Sequence, residues 1–230
     1  MTHVDRPRSL VGKAWWVLRH RPAAFLRSLR GYSLFVLTHA LWRIVHGRSS
    51  EIELGKNVRI QRLRCLHAER PNAKIILGDH SIVYEKADVG AYGSGRIEIA
   101  DCAVLGDIRI AARGGVKIGR RFISSWNVFI QDFDPHPPDP ELRGRQVEAI
   151  CAGFRPRQAV APYPERFDWA FPASPIEIGD DVWVGANATI LKGAKIGSGS
   201  IVATGAVVLS GEYPPRSLIG GNPAKVVKTL

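Results

Sequence analysis

The sequence predicts an all-β solenoid, because its aliphatic residues follow a six-residue period. From residue 178 an aliphatic side chain recurs every six positions, at Ile178, Val184, Ile190, Ile196, Val202 and Val208. A small or β-branched residue follows the first five of these at a distance of four, at Val182, Ala188, Ala194, Ser200 and Ala206. A period of six fits neither an α-helix nor an alternating strand. It predicts short strands that turn around a prism, with the aliphatic side chains inside.

A third feature of the repeat predicts where the turns lie. Three residues after each of the first five aliphatic positions stand residue types that adopt positive φ at low cost, namely Asp181, Asn187, Gly193, Gly199 and Gly205. The aliphatic register continues upstream at Leu54, Ile60, Leu66, Leu77, Val83, Val89, Ile99, Leu105, Ile118, Ser124 and Ile130. The positions expected to hold small inward residues there include Ser81, Ala87 and Gly93.

One interruption of the register predicts a long insertion. Successive turns of the solenoid should begin about 18 residues apart, but the turns that begin at Ile118 and Ile178 are 60 residues apart. About forty residues, roughly 131–175, are therefore expected to leave the prism as an extruded loop. Its many prolines favour an irregular but stiff chain, and long loops in compact domains are usually functional.

Composition and charge divide the chain into three parts. With 230 residues, 45% of them hydrophobic, it can form one main domain with an appendage. We expect a basic helical segment over residues 1–48, a β-solenoid domain over 49–211, and a closing loop and tail over 212–230.

Three cysteines without a CxxC pair or zinc spacing indicate a reducing compartment. No signal peptide or spanning helix is expected, so the cytoplasm is the predicted location.

The N-terminal segment carries most of the positive charge. Residues 1–48 contain nine Lys and Arg residues against one acid, Asp5, and predict two helices, 9–20 and 23–46, broken near Pro22. Basic helices with aromatic residues can lie at a membrane interface, here the inner face of the membrane. They can equally cap the open end of the prism, and both interpretations stay open. No nucleic-acid-binding motif accompanies the charge, so no nucleic-acid partner is expected.

Two stretches of sequence resemble a known family. The first is Asp132-Phe133-Asp134-Pro135-His136-Pro137, continuing to Asp139 and Arg143. The second runs from Ile178 through Val182-Trp183-Val184-Gly185 to Gly221-Asn222-Pro223-Ala224-Lys225. They resemble the catalytic loop and the last coils of the hexapeptide-repeat acyltransferase superfamily, in particular its galactoside and maltose O-acetyltransferases. Residues 99–228 carry the resemblance and residues 1–50 do not.

The resemblance implies both a fold and an activity. The fold is a left-handed parallel β-helix of hexapeptide repeats, assembled as a homotrimer. The co-substrate is acetyl-CoA, held in a groove between neighbouring prisms, so that each site uses residues from two chains. A histidine acts as general base on an acceptor hydroxyl, which attacks the thioester carbonyl directly.

The chemistry of the reaction and the position of His136 in the sequence also make it the candidate base, apart from the resemblance. Attack of an alcohol on a thioester needs a positioned base, which contributes about 10²- to 10⁴-fold. Among the seven histidines, only His136 lies on the predicted loop, between two prolines. Asp132 or Asp134 could orient its ring, and a surface histidine without function is the alternative. No metal is expected, because a catalytic zinc site needs three protein ligands and the histidine spacing offers none.

The family's CoA contacts fall on a defined set of residues in this chain. They are Ala186, Thr204, Leu209, Ser210, Asn222, Lys225 and Lys228. Small residues let the CoA approach the backbone, and lysines meet phosphates as point charges. Trp183 precedes an inward position, so its side chain should face outward and line the cleft, with trimer packing as the alternative. Leu209-Ser210 departs from the Thr-Lys of the galactoside branch.

The acceptor is expected to be a sugar or glycan precursor. The predicted loop is longer than in the galactoside branch and carries arginine and aromatic residues, of which Arg143 and Trp169 are the candidate substrate contacts. These favour a larger or acidic glycan. The predicted function is therefore acetyl transfer to a sugar hydroxyl, as in polysaccharide modification. Acetylation of an amino-sugar nucleotide and a catalytically silent scaffold remain the alternatives.

Overall fold

The computed structural model describes residues 51–62, 64–153 and 170–230. The predicted helical segment 1–48 and the predicted substrate contact Trp169 lie outside these ranges. Within them, no helix combines the length and the apolar character that spanning a bilayer requires.

The described chain winds into a left-handed parallel β-helix with three faces, which confirms the predicted fold class. Sheet A contains β1 (Ile52–Leu54), β4 (Lys74–Leu77), β7 (Arg96–Ile99), β10 (Gly115–Ile118), β13 (Ile176–Ile178), β16 (Ala194–Ile196) and β19 (Gly211–Tyr213). Sheet B contains β2 (Arg59–Ile60), β5 (Ile82–Val83), β8 (Val104–Leu105), β11 (Ile123–Ser124), β14 (Trp183–Val184), β17 (Ile201–Val202), β20 (Ser217–Gly221) and β21 (Ala224–Thr229). Sheet C contains β3 (Leu66–Ala68), β6 (Asp88–Ala91), β9 (Ile108–Ala112), β12 (Val128–Gln131), β15 (Thr189–Leu191) and β18 (Val207–Val208).

The core lies inside the prism, where the six-residue period places it. All six aliphatic residues from Ile178 to Val208 and all five small or β-branched residues between them are buried. The five predicted corner residues have φ values of 57°, 58°, 77°, 71° and 72°, in chain order from Asp181 to Gly205. One upstream assignment is wrong. Gly93 is exposed and has a φ of 62°, so it is a corner residue and not an inward one.

The corner between sheets A and B shows how successive turns are joined. Side chains there accept hydrogen bonds from backbone N–H groups of an adjacent turn. The Asp79 carboxylate accepts from Lys56 N–H at 2.7 Å, and the Asp101 carboxylate accepts from Asp79 N–H at 2.9 Å. A Cβ atom on Gly179 would lie 2.5 Å from Ser198 Oγ, so only glycine allows this close approach. The backbone polar groups of the corners are thereby satisfied between turns.

The insertion leaves the prism at the corner between sheets C and A, and it differs from the irregular chain that its prolines suggested. It contains a 14-residue helix, α1 (Pro140–Gly153). Asp139 Oδ1 accepts a hydrogen bond from Leu142 N–H at 2.8 Å, the arrangement of an N-cap. Pro140 occupies the first helical position, where a missing N–H costs nothing. The Asp-Pro pair therefore starts the helix instead of preventing it.

The C-terminal segment also differs from the loop and tail that were predicted. Residues 212–230 contain most of β19 and all of β20 and β21. Strand β21 runs back antiparallel along β20 and widens sheet B by one strand. The register shifts between Leu218 and Ile219, so Lys225 pairs with Gly220 and Lys228 pairs with Leu218.

Two neighbouring isoleucines on β4 test the inward register. Ile75 is fully buried, whereas the side chain of Ile76 lies on the outer face. Ile75→Ala should lower the free energy of unfolding by about 2–5 kcal/mol, because it leaves a cavity. Ile76→Ala should lower it by less than about 1 kcal/mol. Urea unfolding of both variants gives the comparison, and equal losses would contradict the register.

Candidate functional site

The inserted segment is anchored to the prism by Asp132. This side chain is fully buried. Its Oδ1 accepts from Arg113 N–H at 2.8 Å, and its Oδ2 accepts from Gly114 N–H at 3.0 Å and Gly115 N–H at 2.5 Å. Burial raises the pKa of the Asp132 carboxyl group, and the three backbone donors oppose that shift. Both oxygens accept hydrogen bonds from the turn 113–115, so Asp132, one of the two aspartates predicted as able to orient the His136 ring, holds the start of the loop on the prism.

The two ends of the insertion are also held to each other. Phe133 forms an antiparallel bridge with Ala173, and Ser174 N–H donates to Asp132 O at 2.9 Å. The Arg113 guanidinium lies over the Phe171 ring, 3.8 Å from its centroid, and Phe171 meets Phe133 edge to face at 6.1 Å. Stacking of this kind adds to the burial of aromatic area. The first and last residues of the insertion are therefore held together beside the prism.

His136 is exposed on this loop, and its ring is held by a residue of helix α1. His136 Nδ1 lies 2.9 Å from Gln146 Oε1, and Gln146 Nε2 donates to Pro135 O at 3.1 Å. Gln146 is fully buried. Sequence reasoning missed this residue because it missed the helix. The N-cap at Asp139 is the signal that would have indicated it.

Two further predicted residues have partners that the sequence did not suggest. Arg143, the predicted substrate contact, donates from Nη1 to Pro137 O at 2.9 Å and to Pro138 O at 2.8 Å, so this side chain holds the histidine loop. The Asp134 carboxylate pairs with Lys192 Nζ, in the turn after β15. Asp134 therefore attaches the loop to the corner between sheets C and A.

Sheet B presents a second candidate surface, a row of outward side chains that we name the sheet B row. Adjacent strands pair these residues in order: Arg59, Ile82, Val104, Ile123, Trp183, Ile201, Leu218 and Lys228. Six of the eight are apolar, whereas sheet A has an outward row of Glu53, Ile76, Glu98, Lys117, Glu177, Lys195 and Glu212. Sheet B is therefore the less polar of these two outer faces.

Trp183 lies within the sheet B row with 48% of its surface exposed. Its Nε1 donates to Ser125 Oγ at 3.2 Å, which fixes the ring against the corner between sheets B and C. The bulge in β21 places Lys225 and Lys228 on the outward side of the same sheet, although residues three apart on a regular strand face opposite ways. The tryptophan and both lysines thus share one face.

The remaining predicted CoA contacts fall at two corners of the prism. Ala186, Thr204 and Asn222 lie in the turns that end strands of sheet B. Ala186 O accepts from Gly205 N–H at 2.9 Å, which stacks the first two turns. Leu209 and Ser210 lie at the corner between sheets C and A, where Ser210 Oγ is 3.5 Å from Gly193 O. Within one chain, Leu209 and Ser210 therefore lie at the same corner as the insertion and away from the sheet B face.

Comparison with known proteins agrees with the repeat. Residues 175–210 match the family model described as bacterial transferase hexapeptide, six repeats. Over 56 residues the chain is 52% identical to a 2,3,4,5-tetrahydropyridine-2,6-dicarboxylate N-acetyltransferase of Staphylococcus aureus, a match that covers 24% of this chain and 23% of that protein. The chain thus spans less than a quarter of the length of the curated relatives it matches.

A solved structure shares the fold, and a second aligns with a lower TM-score. A mutant of the N-acyltransferase AntD from Bacillus cereus, in complex with dTDP-4-amino-4,6-dideoxyglucose and coenzyme A, aligns with a TM-score of 0.56 at 14% identity, covering 81% of this chain and 87% of that one. A hexapeptide-repeat acetyltransferase from Vibrio cholerae, complexed with acetyl coenzyme A, aligns with a TM-score of 0.42 at 25% identity, covering 84% and 75%.

The anchoring of the insertion can be tested at Asp132. Asp132→Ala leaves three backbone N–H groups without their charged acceptor and should lower the free energy of unfolding by about 3 kcal/mol. Asp180→Ala is the matched control, because Asp180 Oδ1 accepts from one backbone N–H, that of Arg120. It should cost about 1 kcal/mol. If urea unfolding shows the same loss for both variants, the anchoring role of Asp132 is wrong.

Proposed function

We propose that this chain transfers an acetyl group from acetyl-CoA to a hydroxyl of a sugar or glycan precursor, with His136 as general base. The observation that carries the proposal is an exposed histidine whose ring is fixed through Nδ1, on a loop anchored to a hexapeptide-repeat prism. A base held in place before the acceptor binds is what general-base catalysis requires. The likeness of the loop to galactoside and maltose O-acetyltransferases favours a hydroxyl as the acceptor.

The sheet B row supplies a surface for the donor. Trp183 and Lys228 stand three strand spacings apart in this row, about 14 Å at about 4.8 Å per strand. The apolar side chains of Ile201 and Leu218 lie between them. A CoA molecule stretched along the row would place its phosphates near Lys225 and Lys228 and its thioester near Trp183. Lysines bind phosphate as point charges.

The same geometry favours a site shared between two chains of a homotrimer. Lys192 holds Asp134 at the corner between sheets C and A. His136 is two residues from Asp134, so the His136 Cα lies within about 7 Å of the Asp134 Cα. In a three-sided prism that corner is opposite sheet B. The base of one chain therefore reaches a donor on a neighbour's sheet B more readily than a donor on its own.

An aromatic groove beside Trp183 suits the acceptor. The groove is lined by Tyr84, Ile123, Ser125 and Trp126, and Ser125 also binds the Trp183 ring. Trp126 is 74% exposed. Flat aromatic side chains beside the carboxylates of Glu85 and Asp107 offer an apolar surface and hydrogen-bond acceptors to a sugar ring. Since Arg143 holds the loop, we assign acceptor recognition to this groove.

The proposed reaction is a direct transfer. His136 Nε2 takes the proton of the acceptor hydroxyl as the oxygen attacks the thioester carbonyl carbon. The tetrahedral intermediate collapses with cleavage of the carbon–sulfur bond, and the protonated histidine returns its proton to the leaving CoA sulfur. An amine acceptor is the second candidate, because the Staphylococcus aureus relatives are named as N-acetyltransferases.

The proposal gives residues 1–48 a supporting role, outside the described ranges. Nine Lys and Arg residues against one acid would attract an anionic membrane surface on the cytoplasmic side, at about 1 kcal/mol per basic residue close to that surface. The same segment could instead cap the prism at β1. Both roles are compatible with the transfer reaction.

The test is release of CoA thiol from acetyl-CoA with a panel of sugars, glycan precursors and amino-sugar nucleotides. His136→Ala should lower kcat by about 10²- to 10⁴-fold and leave CoA affinity nearly unchanged, since only the base is lost. His67→Ala is the control, because His67 lies on sheet C and pairs with Asp88 at 3.1 Å. Turnover of His136→Ala within threefold of wild type would refute the base, and no thiol release with any acceptor would refute the activity.

A further inference from the structure

The buried amide of Gln146 connects two groups of the histidine loop. Gln146 Nε2 lies 3.1 Å from Pro135 O, and Gln146 Oε1 lies 2.9 Å from His136 Nδ1. A carbonyl oxygen only accepts hydrogen bonds, so the NH₂ end of the amide must face Pro135. The orientation of the amide is therefore set by its chemical partners, and its oxygen must face the histidine.

This orientation determines which ring nitrogen of His136 carries the proton. Gln146 Oε1 cannot donate, so the 2.9 Å contact is a hydrogen bond only when Nδ1 is protonated. In the neutral ring the lone pair then lies on Nε2, and that nitrogen is the base. We propose that Gln146 is a positioning residue that holds His136 in the Nδ1–H tautomer and aims Nε2 at the acceptor hydroxyl. The inference rests on the proposed function, in which His136 accepts the acceptor's proton.

The surroundings of the loop explain why an amide takes this role. Asp132 and Asp134, the carboxylates nearest in sequence, bind the turn 113–115 and Lys192. A buried neutral amide has a smaller desolvation cost than a buried carboxylate. It also keeps the same hydrogen bond when the ring is protonated, because both ring nitrogens then donate. The ring thus needs no reorientation between proton uptake and proton return.

Helix α1 gives the amide a fixed position. Arg143 and Gln146 are three residues apart, so they lie on the same side of the helix. Arg143 binds the carbonyl groups of Pro137 and Pro138, and Gln146 binds that of Pro135. The carbonyl groups on both sides of His136 are therefore held by one helix. Displacement of the loop backbone at 135–138 without displacement of the helix would break these hydrogen bonds.

The test compares Gln146→Leu with Gln131→Leu. Gln131 Nε2 also donates to a loop carbonyl, that of Phe133 at 2.8 Å, and has no role in the proposed chemistry. The ¹⁵N shifts of the His136 ring, recorded on the protein without substrate, report the tautomer directly. Wild type and Gln131→Leu should show the Nδ1–H form. Gln146→Leu should show a mixture or the Nε2–H form, with kcat lowered at least about tenfold and KM for acetyl-CoA within about twofold.

Gln146→Glu is the second variant, for the case in which leucine disturbs the helix. It loses the hydrogen bond to Pro135 O but keeps an oxygen that can accept from Nδ1, so it should retain the Nδ1–H form. A wild-type ring in the Nε2–H form, or a Gln146→Leu variant that keeps the Nδ1–H form and wild-type kcat, would overturn the proposal. The ¹⁵N shifts of the ring test the positioning role of Gln146 without depending on the activity measurement. If His136→Ala keeps full activity, the proposed function fails, whatever tautomer the shifts show.

Discussion

The structure depends on one backbone constraint, the left-handed residue at many corners of the prism, including every described corner between sheets A and B. A residue with φ near +60° turns the chain onto the next face, so that the following aliphatic residue points inward again. Where the corner residue is glycine this conformation has little steric cost, but His80, Cys102 and Arg121 also adopt it, with φ of 59°, 61° and 56°. Such residues cost about 1–2 kcal/mol each in the left-handed region. Hydrogen bonds to the adjacent turns and the packed interior offset that cost.

The corners also create the surfaces on which the proposed function depends. Because each turn repeats the previous one in register, outward side chains of successive turns stand in straight rows. The sheet B row is apolar over six turns and ends at Lys228, after a bulge that a regular strand would not provide. An insertion at one corner leaves the rows intact, so a long loop can carry the proposed base without disturbing the proposed donor surface.

Much of the fold could be predicted from the sequence, since the period of six is local and its corner residues are conformationally distinctive. The outward placement of Trp183 follows from the same register. The insertion could be located but not described, because its prolines indicated irregular chain and Asp139-Pro140 was not recognised as a helix start. Asp132 is near His136 in the sequence, yet its partners are Arg113, Gly114 and Gly115. The pairing of Asp134 with Lys192 spans 58 residues, and no local pattern indicates such a contact.

The central claim is that the base and the donor surface of one site belong to two chains, and mixing two inactive variants tests it most directly. One variant is His136→Ala, and the other carries Lys225→Glu and Lys228→Glu. If each site is shared, co-assembled trimers contain some sites with both halves intact, about a quarter of the total at equal expression. The account predicts recovery of thiol release to about that fraction of wild type. No recovery, in co-assembled trimers, would mean that each site lies within a single chain.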